Sequence, residues 1–82
     1  MYYVYILETS SDKRFYVGYT NDLKRRFLEH NSGKNTSTRY GIPWILLYYE
    51  AYSIKEIAQH RERMLKQRGK AYQSLKKRIS SS

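Results

Sequence analysis

Tyrosine, arginine and histidine side chains recur in the first part of the chain at a spacing that could bring them together in one site. Two triplets, Tyr3-Val4-Tyr5 and Tyr16-Val17-Gly18, are followed by Arg26 and His30, which stand one helical turn apart. These residue types bind anions and exchange protons. The spacing predicts that Arg26 and His30 line a cleft over the strands that carry the tyrosines.

A carboxylate late in the chain, Glu62, could hold a divalent cation. On a helical projection it lies at the edge of the apolar stripe that contains Ile54, Ala58 and Leu65. A site with one carboxylate suits Mg²⁺, because this ion keeps most of its water ligands. The alternative is an exposed ion pair with Lys66, one turn further on, or with the neighbouring arginines, which would contribute little to stability.

The other candidate residues also have ordinary structural interpretations. Tyr5 and Tyr16 could pack across neighbouring strands, while His30 could be a satisfied core histidine and Arg26 could lay its stem on apolar surface. Steps of about 100° per residue place His30 beside the core residue Leu23 and Arg26 at its flank. The remaining charged residues of this helix are expected to face water: Lys24, Arg25 and Glu29. We favour the site because the tyrosines precede the Arg–His pair.

Three strands are predicted to position these side chains. Residues 2–7 are apolar or aromatic without a break, which indicates a strand buried on both faces. Residues 15–19 resume the pattern after a turn at residues 10–12, so the two segments should form a hairpin. Gly18 in the second strand marks a close approach of backbone or ligand, and residues 44–49 form the third strand.

A first helix is predicted from about Asp22 to Asn31. Thr20-Asn21-Asp22 offers good N-cap chemistry, and Gly33 ends the helix. The loop at residues 34–41 is expected to include one helical turn.

A longer helix follows the third strand. A capping box of Ser53 and Glu56 opens it, it runs to about Arg68, and Gly69 is its expected stop. A short basic helix is predicted at about residues 70–79.

Together the elements predict a small α+β fold, in which helices flank a three-stranded antiparallel sheet in the order β-β-α-β-α, with a short extra helix after each of the two helices. We expect one domain at residues 1–79 and a disordered tail at residues 80–82.

Composition narrows the choice of partners. The net charge is +9, from 16 basic against 7 acidic residues, and such a field favours polyanions such as nucleic acid. The absence of cysteine excludes disulfides and thiolate zinc sites. No membrane span or signal peptide is visible, so we expect a cytoplasmic protein without a membrane partner. A merely soluble basic surface, or a ribosome-associated RNA-binding protein, is the alternative.

The spaced motifs resemble the GIY-YIG nuclease domain over nearly the whole chain. Tyr3-Val4-Tyr5 corresponds to the first triplet, with a Tyr in place of the leading Gly, and Tyr16-Val17-Gly18 is a common form of the second. Arg26, His30 and the Arg61-Glu62 pair complete the set. The chain is most similar to the small stand-alone bacterial members, which lack appended DNA-binding domains.

The resemblance implies a role for each candidate residue. Tyr5 would activate or orient the attacking water, Tyr16 would bind phosphate or share the proton network, and His30 would assist proton transfer. Arg26 would neutralise charge on the phosphate, and Glu62 would hold Mg²⁺ or Mn²⁺. Since the ordinary pKa of tyrosine is about 10, we expect Arg26 and the bound metal to lower the pKa of Tyr5.

The implied function is metal-dependent endonuclease activity on phosphodiester bonds in DNA. Selectivity is expected for structure, such as branches, flaps, nicks or damage, rather than for sequence, which suits DNA repair. A protein partner could supply specificity, and the oligomeric state is left open. The Asn that many members carry near the end of the domain has no match after Gly69. This departure, with the high charge, keeps open a catalytically inactive basic module that binds DNA or RNA.

Other basic residues are expected to contact the phosphates of the bound strand, which gives affinity without sequence specificity. Six residues are assigned to this nucleic-acid surface: Lys24, Arg25, Lys34, Arg39, Arg63 and Lys66.

Overall fold

A three-stranded antiparallel sheet lies at the centre of the protein. The computed structural model describes residues 1–11, 13–36 and 38–79. Strand β1 (Tyr2–Thr9) is central, with β2 (Phe15–Thr20) on one edge and β3 (Trp44–Tyr52) on the other. The predicted hairpin and third strand are confirmed, and β3 continues beyond its predicted end at Tyr49. The predicted tail at residues 80–82 lies outside the described residues, as does Asp12 of the predicted turn.

Three helices flank the sheet and complete the predicted α+β fold. Helix α1 (Leu23–Asn31) packs on one face, whereas α2 (Lys55–Lys66) and α3 (Lys70–Ile79) pack on the other. A short 3-10 helix (Arg39–Gly41) precedes β3, so a short helix does follow each of the two main helices. No helix in the described ranges is both long and apolar enough to cross a membrane.

The central strand contributes to a separate hydrophobic core on each face of the sheet. Tyr5 and Leu7 belong to the core beneath α1, and Val4 and Ile6 belong to the core beneath α2 and α3. Side chains alternate between the two faces of a strand, so a central strand covered on both sides needs an unbroken apolar run. This arrangement explains the run at residues 2–7.

Helix α1 begins and ends as predicted. The Asp22 side chain accepts a hydrogen bond of 3.2 Å from the backbone N–H of Arg25 at the N-cap. Gly33 follows the helix with a positive φ of 81°, a conformation that glycine adopts without steric cost.

The ends of helix α2 differ from the predictions. The N-cap is Ile54, in an extended conformation and with no side-chain cap hydrogen bond, so the capping box of Ser53 and Glu56 is wrong. At the other end Arg68 takes the left-handed conformation, with φ of 60°. Gly69 instead stands immediately before α3, and its carbonyl accepts the backbone N–H of Gln73 at 3.0 Å.

An ion pair fixes α2 to β3. Nε and Nη2 of Arg61 donate to the two carboxylate oxygens of Glu50, each at 2.9 Å. The hydroxyls of Tyr48 and Tyr52 donate to the same carboxylate at 2.6 Å. Burial opposes the charged form of Glu50, but these hydrogen bonds prevail and lower its pKa to about 2.

Candidate active site

The ring of Tyr5 lies against Gly18, its partner on β2. A Cβ atom at Gly18 would fall 2.3 Å from Cζ and from the hydroxyl oxygen of Tyr5. No other residue leaves room for this ring, so the close approach predicted at Gly18 is confirmed. The glycine of the second triplet therefore permits the placement of the last tyrosine of the first.

A buried chain of hydrogen bonds begins at the Tyr5 hydroxyl. This hydroxyl and Nε2 of His30 are 2.8 Å apart, and Nδ1 of His30 is 2.8 Å from Oγ1 of Thr38. Tyr5 is 1% exposed, His30 0% and Thr38 1%. Both ring nitrogens of His30 thus have partners, and the imidazole connects the first strand to the loop before β3.

Burial determines the protonation states of Tyr5 and His30. Burial raises the pKa of Tyr5 to about 12, although the nearby Arg26 opposes the shift. We expected Arg26 and a bound metal to lower the pKa of Tyr5. In the protein without substrate this expectation is wrong, because the loss of solvation raises the pKa by more than the Arg26 guanidinium lowers it. Burial, and to a smaller extent the positive charge of Arg26, lowers the pKa of His30 to about 4. At neutral pH, Tyr5 is protonated and His30 is uncharged.

Arg26 connects this series of buried hydrogen bonds to the surface of the protein. Its guanidinium interacts with the Tyr5 hydroxyl, and its Nη1 donates to Glu29 Oε1 at 3.2 Å. Glu29 was expected simply to face water; instead it holds Arg26 at the rim of an open pocket of about 420 Å³. The pocket is lined by Arg26, Glu29, Lys34, Asn35 and Thr36.

Tyr16 joins the same cluster from the second strand. Its ring centroid lies 5.1 Å from that of His30, in an edge-to-face arrangement, and 6.2 Å from that of Trp44. Tyr5, Tyr16, Arg26 and His30 therefore lie together. Arg26 lines the open pocket, whereas His30, which was expected to line the same cleft, is fully buried beneath it.

Glu62, on α2, has an electrostatic interaction with this cluster. Its negative charge contributes to the raised pKa of Tyr5. Its carboxylate Oε2 lies 3.0 Å from Nζ of Lys66, and 18% of its side chain is exposed. The ion pair that was the alternative interpretation is thus present, so a cation that binds Glu62 must compete with Lys66.

The donor set fits only a cation that brings other ligands with it. Among the described residues there is no group of three or more His, Asp or Glu side chains able to hold a metal ion. A single carboxylate suits Mg²⁺, which is commonly bound through one or two carboxylates, several waters and substrate phosphates.

The residues assigned to the nucleic-acid surface are spread over several sides of the protein. Lys34 lines the Arg26 pocket, and Lys66 pairs with Glu62. Lys24 lines a second open groove, of about 530 Å³, with Tyr3 and Tyr49.

The other three assigned residues are exposed on the protein surface. Arg25 lies 3.9 Å from Asp22 and from Glu29. Arg39 sits 4.9 Å from the centroid of the Tyr40 ring, and Arg63 is exposed on α2.

Residues that the sequence did not single out hold the loop against the site. The side chain of Asn31 donates to the carbonyl of Trp44 at 2.9 Å and accepts its N–H at 2.6 Å. The indole N–H of Trp44 in turn donates to the carbonyl of Thr38 at 2.6 Å. Asn31 and Thr38 resemble ordinary helix-end and loop residues in the sequence, so their role depends on contacts that only the folded chain makes.

A tyrosine on each of two paired strands, an Arg–His pair on the next helix and a Glu on the helix behind the sheet define a GIY-YIG domain. Residues 1–80 match the GIY-YIG catalytic domain, and the chain belongs to this family. The family is one of nucleases, which indicates an endonuclease that binds nucleic acid.

Similar proteins are also small. A UPF0213 protein of Streptococcus pyogenes serotype M5 (strain Manfredo) is 47% identical over 74 residues, which make up 89% of this chain and 79% of the relative. A UPF0213 protein of Streptococcus pyogenes serotype M1 has the same identity over the same length. The solution NMR structure of a UPF0213 protein from Bacillus halodurans is 38% identical, with a TM-score of 0.56, and the match covers 92% of this chain and 81% of that one.

Proposed function

We propose that this protein is a metal-dependent endonuclease that hydrolyses phosphodiester bonds in DNA and selects its substrate by structure rather than by sequence. The observation that carries the proposal is the hydrogen bond between Tyr5 and His30, at 2.8 Å, beside a guanidinium that faces an open pocket. The net charge of +9 supports a polyanionic substrate.

The Arg26 pocket would hold the scissile phosphate. Arg26 and Lys34 supply two positive charges to its lining. A guanidinium has five N–H donors, so Arg26 can keep its contact with Glu29 and still donate to a phosphate oxygen. These charges would stabilise the negative charge that develops on the phosphate during the reaction.

Tyr5 would act as a relay rather than as a free phenolate, because its pKa is raised to about 12. As water attacks phosphorus, the Tyr5 oxygen would accept a proton from the water, and the Tyr5 proton would pass to Nε2 of His30. This transfer requires the tautomer of His30 in which Nδ1–H donates to Thr38 Oγ1, leaving Nε2 as the acceptor. The P–O bond to the leaving strand would break as the new P–O bond forms.

Substrate binding would favour the relay. Burial, and after it the charge of Arg26, lowers the pKa of His30 in the protein without substrate. A bound phosphate would offset this charge, raise the pKa of His30 and so make the imidazole a better proton acceptor. Tyr16, whose ring lies against His30, would help to hold the imidazole in place and would offer its hydroxyl to the phosphate or its proton network.

Glu62 would hold the divalent cation, Mg²⁺ or Mn²⁺, that nucleases of this family generally require. The ion would supply charge stabilisation at the phosphate and the leaving oxygen. Before that, Lys66 must release the carboxylate, and the freed ammonium group would be available to a neighbouring phosphate.

A cleavage assay tests the proposal. Labelled single-stranded, duplex and branched DNA, together with RNA, would be incubated with Mg²⁺, Mn²⁺ or EDTA. We expect metal-dependent cleavage of DNA that is lost in Tyr5→Phe, Arg26→Ala and Glu62→Gln. The control is Tyr19→Phe, since Tyr19 stacks on Tyr2 on the opposite face of the sheet.

Binding measured on the same substrates separates the rival function. Salt-dependent binding without cleavage of any substrate would favour the catalytically inactive basic module. Cleavage of RNA but not of DNA would keep the nuclease and overturn its proposed substrate.

A further inference from the structure

A second basic pocket lies at the start of β2, on the face of the sheet that carries α3. It has a volume of about 290 Å³ and is lined by Lys13, Arg14, Phe15, Arg68, Tyr72 and Lys76. Four of these residues are cationic, and none of the described lining residues is acidic. None of the four belongs to the candidate active site or to the six residues assigned to the nucleic-acid surface.

Aromatic side chains hold the cations of this pocket in place. The Arg68 guanidinium lies 4.4 Å from the centroid of the Tyr72 ring, and its Nη1 donates to the Tyr72 hydroxyl at 2.8 Å. Nζ of Lys76 lies 5.9 Å from the ring centroid of Phe15 and 6.0 Å from that of Tyr72. Such contacts hold the cationic groups against the aromatic rings that line the pocket.

The backbone at the pocket is also unusual. Lys13 has φ of 59° and Arg68 has φ of 60°, and these are the non-glycine residues with positive φ in the described part of the chain. Glycine adopts this conformation without a steric penalty, whereas Lys and Arg do not. Both strained positions carry a cation into the same pocket, which is the arrangement expected where the side chain serves a ligand.

We propose that this pocket binds a second phosphate group of the nucleic-acid substrate, apart from the phosphate at Arg26. The inference rests on the proposed function in that the ligand is a nucleic acid. Four cationic side chains suit a phosphate. Nη1 of Arg68 donates to the Tyr72 hydroxyl and its Nη2 to the carbonyl of Phe15 at 3.4 Å, and the guanidinium, with five N–H donors, has others for a phosphate oxygen.

The position of the pocket relates it to the active site. Phe15 and Tyr16 are consecutive residues of the edge strand β2 and face opposite sides of the sheet. Phe15 lines the basic pocket, whereas Tyr16 contacts His30. A DNA strand that reaches both sites must turn around the β2 edge of the sheet. Flexible single-stranded DNA or a branch can do this more readily than a straight duplex. The pocket therefore accounts for selection by structure.

The test uses Glu62→Gln protein labelled with ¹⁵N, titrated with inorganic phosphate and then with single-stranded DNA that carries a 5′-phosphate or a 5′-hydroxyl. Lys76→Gln is compared with Lys77→Gln in the same background; Lys77 is the exposed neighbour on α3. We expect phosphate to shift the amide signals of Phe15, Arg68 and Tyr72. We also expect Lys76→Gln to weaken DNA binding about fivefold and to lower the slope of log affinity against log salt by about one, with a much smaller change in Lys77→Gln.

The arms of the experiment distinguish the sources of the phosphate. Tighter binding of the 5′-phosphorylated strand would assign the pocket to a strand end, and equal binding would assign it to an internal phosphodiester. Equal losses in Lys76→Gln and Lys77→Gln, or no shift at the pocket, would overturn the inference even if the wild-type protein cleaves DNA. Conversely, a functioning pocket in a protein that cleaves nothing would contradict only the nuclease proposal.

Discussion

Arg61 on α2 holds the carboxylate of Glu50 on β3 through two hydrogen bonds of 2.9 Å, and the residue next to Arg61 is Glu62. The ion pair therefore fixes the turn of α2 that carries the proposed metal ligand. The side chain of Arg61 is occupied by Glu50, so we expect Arg61 to act by positioning its neighbour rather than by contacting the substrate. This relationship leads to a first prediction.

Replacing Glu50 with Gln should destabilise the fold and loosen the placement of Glu62. The substitution leaves the half-buried Arg61 without its countercharge, and such losses cost about 1–3 kcal/mol in the free energy of unfolding. Urea denaturation should show this loss, and Mn²⁺ affinity should fall with it. The matched control is Glu56→Gln, because Glu56 is exposed in the first turn of the same helix. Equal stability of the two variants would show that the pair does not hold α2.

A second prediction concerns two glycines with opposite surroundings. A Cβ at Gly18 would clash with Tyr5 at 2.3 Å, whereas a Cβ at Gly69 would meet nothing within 4 Å. Gly18→Ala should therefore displace the Tyr5 ring, cost about 1–3 kcal/mol of stability and abolish cleavage. Gly69→Ala should change stability by no more than about 0.5 kcal/mol. Denaturation curves and cleavage rates of both variants check this, and an active Gly18→Ala protein would contradict the proposed role of Tyr5.

A third prediction follows from the buried histidine. The pKa of His30 is lowered to about 4 in the folded protein from an ordinary value of 6.5. Between these values the unfolded chain binds a proton that the folded chain excludes, so the stability contributed by neutral His30 is full above pH 6.5 and is lost as the pH falls towards 4. The loss should be about 2 kcal/mol between about pH 7 and pH 5.

The measurement for His30 is the free energy of unfolding in urea across this pH range, with His30→Gln as the comparison. The variant should be less stable at neutral pH and should lack most of the pH dependence in this window. Glu50, with a pKa lowered to about 2 from 4.5, contributes its own acid loss only at lower pH and should do so equally in both proteins. An unchanged slope in His30→Gln would mean that folding does not lower the pKa of His30.

The sequence predicts the sheet and the members of the cluster because both follow from local patterns. An unbroken run of six residues rich in aromatic and β-branched side chains indicates a strand covered on both faces, and a separation of one helical turn places Arg26 and His30 on the same side of α1. The roles of Glu29 and Thr38 depend instead on how the chain closes around α1, which no local pattern specifies. Glu50 was missed for a related reason. In the sequence a carboxylate after an apolar run indicates the end of a strand, and only the folded chain shows that Arg61 pairs with it inside β3. The pKa of Tyr5 was predicted in the wrong direction because the sequence reveals the neighbouring Arg26 but not the depth of burial.

A fourth prediction tests the competition between Lys66 and a metal ion for Glu62. Nζ of Lys66 lies 3.0 Å from the carboxylate, and a partly exposed pair of this kind is worth about 0.2–1 kcal/mol. Lys66→Gln should therefore tighten Mn²⁺ binding by up to about fivefold in the absence of nucleic acid, whereas Glu62→Gln should remove it. Lys55→Gln is the control, because Lys55 lies exposed at the start of the same helix. Electron paramagnetic resonance of free Mn²⁺ gives the affinities directly. If Lys66→Gln and Lys55→Gln change the affinity equally, the effect is one of net charge alone; if Glu62→Gln binds Mn²⁺ as tightly as the wild type, the carboxylate is not the ligand.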